Sequence, residues 1–409
     1  MPEAAKVGSQ SIRYLNELRA LDVLFREGAM SRAELARTLG LNRSTTGSIV
    51  NSLLAESLAL ERIGSQSSEP RGQTGRPGVE VELNPEGACF VGAEIEVEQL
   101  TAVTVDLTGR IVSRSEVAFP AGRFPPERSA EKLAEMTRSI PDFERNASRV
   151  RGVGVAVPAL VEAGIARLGL LLNWRDVPLA QLVADKIGMD LPVVVENDAN
   201  AFAIAETYFG NSRNLGTVVF LVIESGAGGG VVSDGRLFRG GRGMAGEVGH
   251  LIVGGEGYAA DGRGLLEDYV GKKAVLARYR AHGGEEAGLA RFLHALAQRE
   301  QAAVRTAEDW GEWLVRGLSH IVNLLNPDLI IIGGSVGHIF PFVASQIRDA
   351  LRATLRSDEQ MPRIEMSELG VEGPALGAAL LLHQKMFSVD EKAVFPKGDA
   401  RGLIRISGS

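Results

Sequence analysis

The chain has 409 residues, of which 45% are hydrophobic and 23% are charged, and its formal net charge is −7. This length exceeds one ordinary domain, and the composition is typical of a globular protein with two or three compact units. The acidic balance argues against a protein that coats nucleic acid. The single cysteine, Cys89, excludes an intrachain disulfide and a zinc site built from several cysteines.

Charged side chains interrupt every apolar stretch near the N-terminus, so we expect no secretory signal. The longest apolar runs, at 218–223 and 329–332, are too short to span a bilayer and are typical of buried strands. These features predict a cytoplasmic protein that does not contact a membrane. Residues 1–83 are balanced in charge, so the remainder carries the whole net charge and local basic patches decide any DNA binding.

The first predicted elements are helices. An apolar stripe at helical spacing predicts a helix over 11–27. Ser31 and Glu34 then have the spacing of a capping box at the start of a short second helix, and Gly40 follows as a left-handed terminator. A third helix begins directly afterwards. Two short helices joined by a glycine-containing turn indicate a helix-turn-helix.

The third helix opens with polar and basic residues, and either Asn42 or Ser44 is expected to cap it. Residues 37–53 include two arginines and no acidic residue. Such side chains at the start of a recognition helix face base edges and phosphates. The side chains expected to contact DNA from this region are Arg37, Asn42, Arg43, Ser44, Thr45 and Thr46.

Two strands, at 58–62 and 79–83, flank a segment rich in Gly, Ser, Pro and Arg that resembles the wing of a winged helix-turn-helix. Arg71 and Arg76 lie in this segment and suit a narrow minor groove. We therefore predict a DNA-binding domain over 1–84. A three-helix protein-interaction module followed by a linker is the alternative, because periodicity alone does not separate the two.

From residue 88 onwards, strands alternate with helices and glycine-rich turns. Strands are expected at 88–91, 100–106, 110–118, 152–158, 191–195, 218–223, 231–232 and 328–332. Helices are expected at 127–140, at 199–209 and, as one long helical region, at 284–325. This alternation predicts an α/β fold with a mixed sheet and two lobes.

Five motifs occur in a fixed order along this part of the chain. They are ENDANA at 196–201, GEVGH at 246–250, GRGLLE at 262–267, NPDLIIIGG at 326–334 and LGVEGPALGAAL at 369–380. Together they resemble the ROK family of bacterial sugar kinases and sugar-responsive repressors, over about 10–387. The resemblance implies an actin-like, sugar-kinase-like sensor domain with two lobes over 85–387. The tail at 388–409 matches no motif of the family.

Asn197 and Asp198 directly follow a buried strand, where side chains enter a cleft at the strand's carboxyl end. Their oxygens can pair with neighbouring hydroxyl groups of a sugar. Alternatively, Asp198 only caps the next helix. The resemblance implies that Glu247, His250 and Glu267 also contact sugar, and that Asp198 matches the general base of the kinases. We therefore expect these five residues to form a pocket for a monosaccharide or its derivative.

Two turns that bind phosphate in the family's kinases depart from the family pattern here. Glu96 and Glu98 occupy positions where Gly and Thr are needed, and Glu224 precedes the second turn. Like charges a few Å apart cost about 1 kcal/mol in water and more in a cleft. We therefore expect little or no ATP binding, no enzymatic activity, and only a vestigial base at Asp198.

The family's zinc site consists of a His and three Cys. His250 is present, but the cysteine positions align with Tyr258, Ala260 and Leu265. One imidazole does not make a structural zinc site, so we expect neither zinc nor another cofactor.

The sequence therefore predicts a sequence-specific DNA-binding transcriptional regulator, a repressor of carbohydrate metabolism. Its expected partners are a double-stranded DNA operator, a sugar effector and further copies of itself in a homodimer or homotetramer. Two alternatives remain open at this point. One is an active ROK sugar kinase that transfers phosphate from ATP to a hexose, and the other is a regulator controlled by a protein partner.

Overall fold

The computed structural model describes residues 9–63, 79–140, 148–209, 215–241, 243–254, 264–285, 288–370 and 372–387. Three parts follow one another along the chain, and we name them by their described residues. The reader comprises residues 9–83, lobe I residues 89–197 and lobe II residues 198–387. Within these ranges no helix combines the length and the apolar character needed to cross a membrane.

The reader has three helices and a small sheet of three antiparallel strands in the order β1-β3-β2. Its elements are α1 (Ser9–Glu27), β1 (Met30–Ser31), α2 (Arg32–Leu39), α3 (Arg43–Ala55), β2 (Ala59–Ile63) and β3 (Val79–Leu83). The predicted capping box is present, because the Ser31 hydroxyl accepts from the Glu34 backbone N–H at 3.2 Å and the Glu34 carboxylate accepts from the Ser31 backbone N–H at 2.9 Å. Asn42, and not Ser44, caps α3.

Lobe I is a five-stranded sheet in the order β11-β7-β4-β5-β6, with a separate three-stranded sheet and two helices. Its elements are β4 (Cys89–Ile95), β5 (Gln99–Asp106), β6 (Ile111–Ala118), α4 (Pro126–Arg138), β7 (Val150–Val157), β8 (Leu160–Glu162), β9 (Ile165–Gly169), β10 (Trp174–Val177), α5 (Leu179–Ile187) and β11 (Val193–Asn197). Strands β4, β7 and β11 run parallel, and β4, β5 and β6 form an antiparallel meander.

Lobe II is a second five-stranded mixed sheet, in the order β14-β13-β12-β15-β16. Its elements are α6 (Asp198–Phe209), β12 (Thr217–Ile223), β13 (Ala227–Ser233), β14 (Arg236–Leu237), α7 (Leu266–Val270), α8 (Lys272–Ala281), α9 (Gly288–Ala297), α10 (Gln301–Leu325), β15 (Leu329–Gly333), α11 (Phe340–Thr354), β16 (Arg363–Met366) and α12 (Gly373–Phe387). Strands β12, β15 and β16 are parallel.

Helices α6 and α12 form the layer between the two large sheets. α12 packs on β4 and β7 of lobe I, α6 packs on β12 and β13 of lobe II, and the two helices pack on each other. The reader joins this layer through Phe25 of α1, whose ring centroid lies 5.2 Å from that of Tyr208, 5.1 Å from that of His383 and 5.3 Å from that of Phe387. The buried core of the reader is therefore continuous with that of the two lobes.

The predicted fold class is confirmed: the protein is α/β, with a winged helix-turn-helix followed by two mixed-sheet lobes. Two details of the prediction were wrong or incomplete. The region 284–325 is two helices, because Arg299 between them adopts a left-handed φ of 57° and interrupts the helical backbone. The small sheet β8–β10 and helices α5 and α8 were not predicted, although α5 buries Leu179, Val183 and Ile187 at helical spacing.

Candidate functional site

A pocket of about 460 Å³ opens where the carboxyl ends of strands from both large sheets meet. Residues from the ends of β4, β11, β12 and β15 line it, as expected for an α/β fold, in which ligands bind beyond the carboxyl ends of parallel strands. Leu170 and Leu171 provide an apolar wall from the loop after β9. The volume suits a small organic ligand.

All five residues predicted to contact sugar line this one pocket. They are Asn197, Asp198, Glu247, His250 and Glu267. They come from the end of β11, the start of α6, the turn before Leu251 and helix α7. Residues up to about 70 positions apart in the sequence therefore line one cavity, because strand ends of both sheets meet there.

Asn197 is held by the fold as well as facing the pocket. Its amide nitrogen donates to the Ala159 carbonyl oxygen at 3.3 Å, and its amide oxygen accepts from the Asn200 backbone N–H at 3.1 Å. The Asn197 side chain therefore caps the first turn of α6, and the Asp198 carboxylate also accepts from a backbone N–H of this turn, that of Ala199, at 2.8 Å. Burial, opposed by the hydrogen bond from the Ala199 backbone N–H and reinforced by the charge of Glu247, raises the pKa of Asp198 to about 6.

Glu247, His250 and Glu267 form the side of the pocket that belongs to lobe II. The Nε2 atom of His250 lies 3.4 Å from Oε1 of Glu267. Burial raises the pKa of Glu247, an effect that His250 opposes and Glu267 reinforces. Gly226 makes room for this arrangement, because a Cβ atom there would lie 2.7 Å from Oε2 of Glu267.

Three further carboxylates line the same pocket beside the predicted sugar residues. They are Glu94, Glu96 and Glu224. The Glu224 carboxylate accepts from the backbone N–H and the hydroxyl of Ser335, which follows β15. Glu98, in contrast, is exposed in the turn between β4 and β5 and does not line the pocket, although its charge still raises the pKa of Glu96.

The residues present do not fit the zinc site of the family. His250 faces Glu267, and Leu265, at one of the expected cysteine positions, pairs its backbone with Ile252. Tyr258 and Ala260 lie outside the described residues. The one cysteine, Cys89, is on β4, away from this turn. No cysteine of this chain can therefore complete the site.

In the reader, the start of α3 presents part of the predicted DNA-contacting set. Arg43 and Ser44 are exposed and Thr45 is half-buried. Asn42 is exposed, although its side-chain oxygen already accepts from the Thr45 N–H at 2.8 Å. Arg37 is exposed on α2, with its guanidinium 3.8 Å from the Glu34 carboxylate.

The prediction that Thr46 belongs to the DNA-contacting set was wrong. Its side chain is fully buried and its hydroxyl donates to the Asn42 carbonyl oxygen at 3.1 Å, so it belongs to the core of the reader and does not face DNA. The exposed face of α3 continues instead through Ser48 and Asn51, one and two turns after Ser44. Helical spacing from Ser44 could have identified both. Arg71 and Arg76 lie outside the described residues.

Comparison with known proteins places this architecture in a family. Residues 90–385 match the ROK family. A xylose repressor from Bacillus spizizenii is 27% identical over 387 residues, covering 92% of this chain and 97% of the repressor. The crystal structure of a ROK family transcriptional regulator, a homologue of the E. coli MLC protein, superposes with a TM-score of 0.75 at 25% identity and covers 92% of this chain and 97% of the regulator.

A kinase of the same family matches a smaller part. The crystal structure of a ROK family glucokinase from Streptomyces griseus, in complex with glucose and AMPPNP, superposes with a TM-score of 0.62 at 27% identity. The superposition covers 99% of the kinase but only 72% of this chain. The repressor and the regulator thus match nearly the full length of this chain, whereas the kinase does not. This chain belongs to the ROK family.

Proposed function

We propose that this protein is a sequence-specific transcriptional repressor of carbohydrate metabolism whose two-lobed domain binds a sugar effector without phosphorylating it. The observation that carries the proposal is the match to a xylose repressor over 92% of this chain, a span that extends well beyond the lobes shared with the kinases. The reader supplies a helix with an exposed polar face, and the lobes supply a pocket with several carboxylates.

The DNA contact is assigned to the exposed side chains at the start of α3, together with the wing arginines. Arg43 and Ser44 are exposed there, and Arg43 forms no ion pair among the described residues. Phosphate contacts of this kind give an affinity that falls with salt, and base contacts give the sequence preference. Symmetric operators are read by paired winged helices, so we propose that a homodimer or homotetramer binds DNA.

The test is fluorescence anisotropy on a labelled fragment from upstream of the protein's own gene. Arg43→Ala and Arg76→Ala should each weaken binding about tenfold, as expected for a lost base or phosphate contact of about 1–3 kcal/mol. Arg305→Ala, which removes an exposed arginine from α10, is the charge-matched control and should leave the affinity unchanged. Ser44→Ala should weaken binding more than Thr46→Val, because only Ser44 is exposed. Equal affinity of wild type, Arg43→Ala and Arg76→Ala would contradict the assignment.

One observation favours the kinase alternative. The pKa of Asp198, near 6, suits a general base close to neutral pH. Against it, Glu96 and Glu224 line the pocket beside Asp198, where they would repel the phosphates of a nucleotide. We therefore expect no ATP-dependent phosphorylation of hexoses by the purified protein. Phosphorylation that is lost in Asp198→Asn would establish the kinase instead.

Helix α6 offers a physical link between effector and DNA. It begins at Asp198 in the pocket, and Tyr208, ten residues later and about 15 Å along the helix, contacts Phe25 of the reader. A sugar that moves the start of α6 as the lobes close would therefore also move the surface on which the reader packs. A hundredfold change in operator affinity requires about 2.7 kcal/mol of differential binding. Phe25→Ala should retain sugar binding but lose the effect of sugar on DNA affinity.

A further inference from the structure

One carboxylate of the pocket has no partner. Glu94, near the end of β4, is only 8% exposed and lines the cavity, yet its carboxylate accepts no hydrogen bond from any described residue. Burial raises its pKa well above the ordinary value, and Asp198, Glu96 and Glu224 raise it further. A buried carboxylate without a donor is costly, so its position at the cavity wall points to a donor supplied by a ligand.

The neighbours of Glu94 do not balance its charge. Glu224 is satisfied by Ser335 and Glu267 faces His250, but Glu96 and Asp198 add their own charges at the Glu94 end of the pocket. Lys272 also lines the pocket, and its positive charge lowers the pKa of Glu96. The charged and titratable groups that line the described pocket are Glu94, Glu96, Asp198, Glu224, Glu247, His250, Glu267 and Lys272. The Glu94 end therefore gathers three carboxyl groups and one lysine, an excess of acidic over basic groups.

A metal ion does not account for this end of the pocket. Within the described residues, no group of three or more His, Cys, Asp or Glu side chains is arranged to hold a metal. The carboxylates are spread around a cavity of about 460 Å³, which is large enough for an organic molecule with several polar groups. An organic cation can place its positive charge at one end and hydroxyl groups at the other.

We propose that the pocket selects a monosaccharide that carries a protonated amine, with the amine donating to Glu94 and Glu96 and the hydroxyl groups facing Asp198, Glu247 and His250. This inference rests on the proposed function, since it names the chemical class of the effector. A charge-assisted hydrogen bond to a buried carboxylate is roughly twice as strong as a neutral one. The same carboxylates repel phosphorylated sugars, so a sugar phosphate is excluded.

The test is calorimetric titration of the full-length protein at about pH 7 with matched ligands. The set is glucosamine, galactosamine and mannosamine, their neutral parent hexoses, their N-acetyl derivatives and glucosamine 6-phosphate. At least one amino sugar should bind about tenfold or more tightly than its parent and its N-acetyl derivative. Glu94→Gln and Glu96→Gln should each reduce that ratio towards one, whereas Glu98→Gln, at the exposed turn, should leave it unchanged.

The ratio should also fall as the pH decreases from about 7 to about 5.5. The pKa of Glu96, about 7, places its protonation in this range while the amine stays charged. Neutral hexoses or N-acetyl sugars binding as tightly as amino sugars would overturn the inference and leave the proposed sugar-responsive repressor intact. Specific DNA binding with no affinity for any of these sugars would overturn both the inference and the sugar effector, while leaving the reader's role in place.

Discussion

Replacing Glu96 with glutamine should stabilise the ligand-free protein at neutral and alkaline pH. Glu96 follows β4 and lines the pocket, where burial and the charge of Glu224 together raise its pKa to about 7. The folded protein therefore pays a cost to keep this carboxyl ionised. Glutamine has nearly the same shape and no charge, so the substitution removes that cost without leaving a cavity.

The sign and size of this change in the free energy of unfolding follow from the difference in the pKa of Glu96 between the folded and unfolded states. The folded-state pKa, about 7, lies above the ordinary value of 4.5, so between these values the folded state binds more protons than the unfolded state. The free energy of unfolding of the wild type therefore falls as the pH rises through this window. The full shift corresponds to about 3 kcal/mol at about 1.4 kcal/mol per pKa unit. Because Glu96 is partly solvated, we expect about 1–2 kcal/mol near pH 8 and almost nothing near pH 4.5.

Scanning calorimetry of the full-length protein at about pH 5 and about pH 8 measures this effect. The midpoint of the transition that reports on the lobes should rise in Glu96→Gln relative to wild type, and the rise should be larger at the higher pH. Glu98→Gln removes the same charge from an exposed turn two residues away and is the control. A rise of the same size at both pH values, or one shared by Glu98→Gln, would refute the electrostatic explanation.

Three further substitutions test how the parts of the protein hold together. Phe25→Ala should cost about 3 kcal/mol through the lost ring contacts and should increase proteolysis between reader and lobes; an unchanged cleavage rate would contradict the packing of α1 on α12. His383→Leu should cost about 2–3 kcal/mol near pH 7.5, because the Leu107 carbonyl oxygen loses its donor. Since burial lowers the pKa of His383 to about 4, the wild type should lose stability as the pH falls from 6.5 towards 4, and a variant that keeps this loss would exclude His383 as its source. Ser31→Ala should cost about 1 kcal/mol of unfolding free energy by removing the cap of α2, measured by urea titration. The control is Ser44→Ala, which removes a serine that does not cap a helix.

Local features of the fold were predictable because they depend on near neighbours along the chain. The capping box of Ser31 and Glu34 and the left-handed Gly40 are fixed by bonds within one turn. The strands at 218–223 and 329–332 were predictable from their continuous apolar runs, which are typical of buried strands. Thr46 was misassigned because polarity alone does not tell which face of a helix is buried.

The predicted sugar residues could be grouped only through the resemblance of their motifs to a family, because 53 positions separate Asn197 from His250 in the sequence. The tertiary structure decided what else shares their pocket. Glu94 and Glu96 are at the end of a strand in lobe I, and Glu224 is at the end of a strand in lobe II. The repulsion between Glu224 and the two carboxylates of lobe I exists only because the packing of the two lobes brings these strand ends together.

The sequence by itself therefore determined many of the helices and strands, the capped helices of the reader and the motifs shared with sugar kinases, since each depends on local chemistry or period. The tertiary structure decided the contact of Phe25 with α12, the burial of Thr46 and the unpartnered carboxylate of Glu94. Burial and electrostatic coupling depend on distances between residues far apart in the chain, and only the packing of the two sheets around α6 and α12 sets those distances.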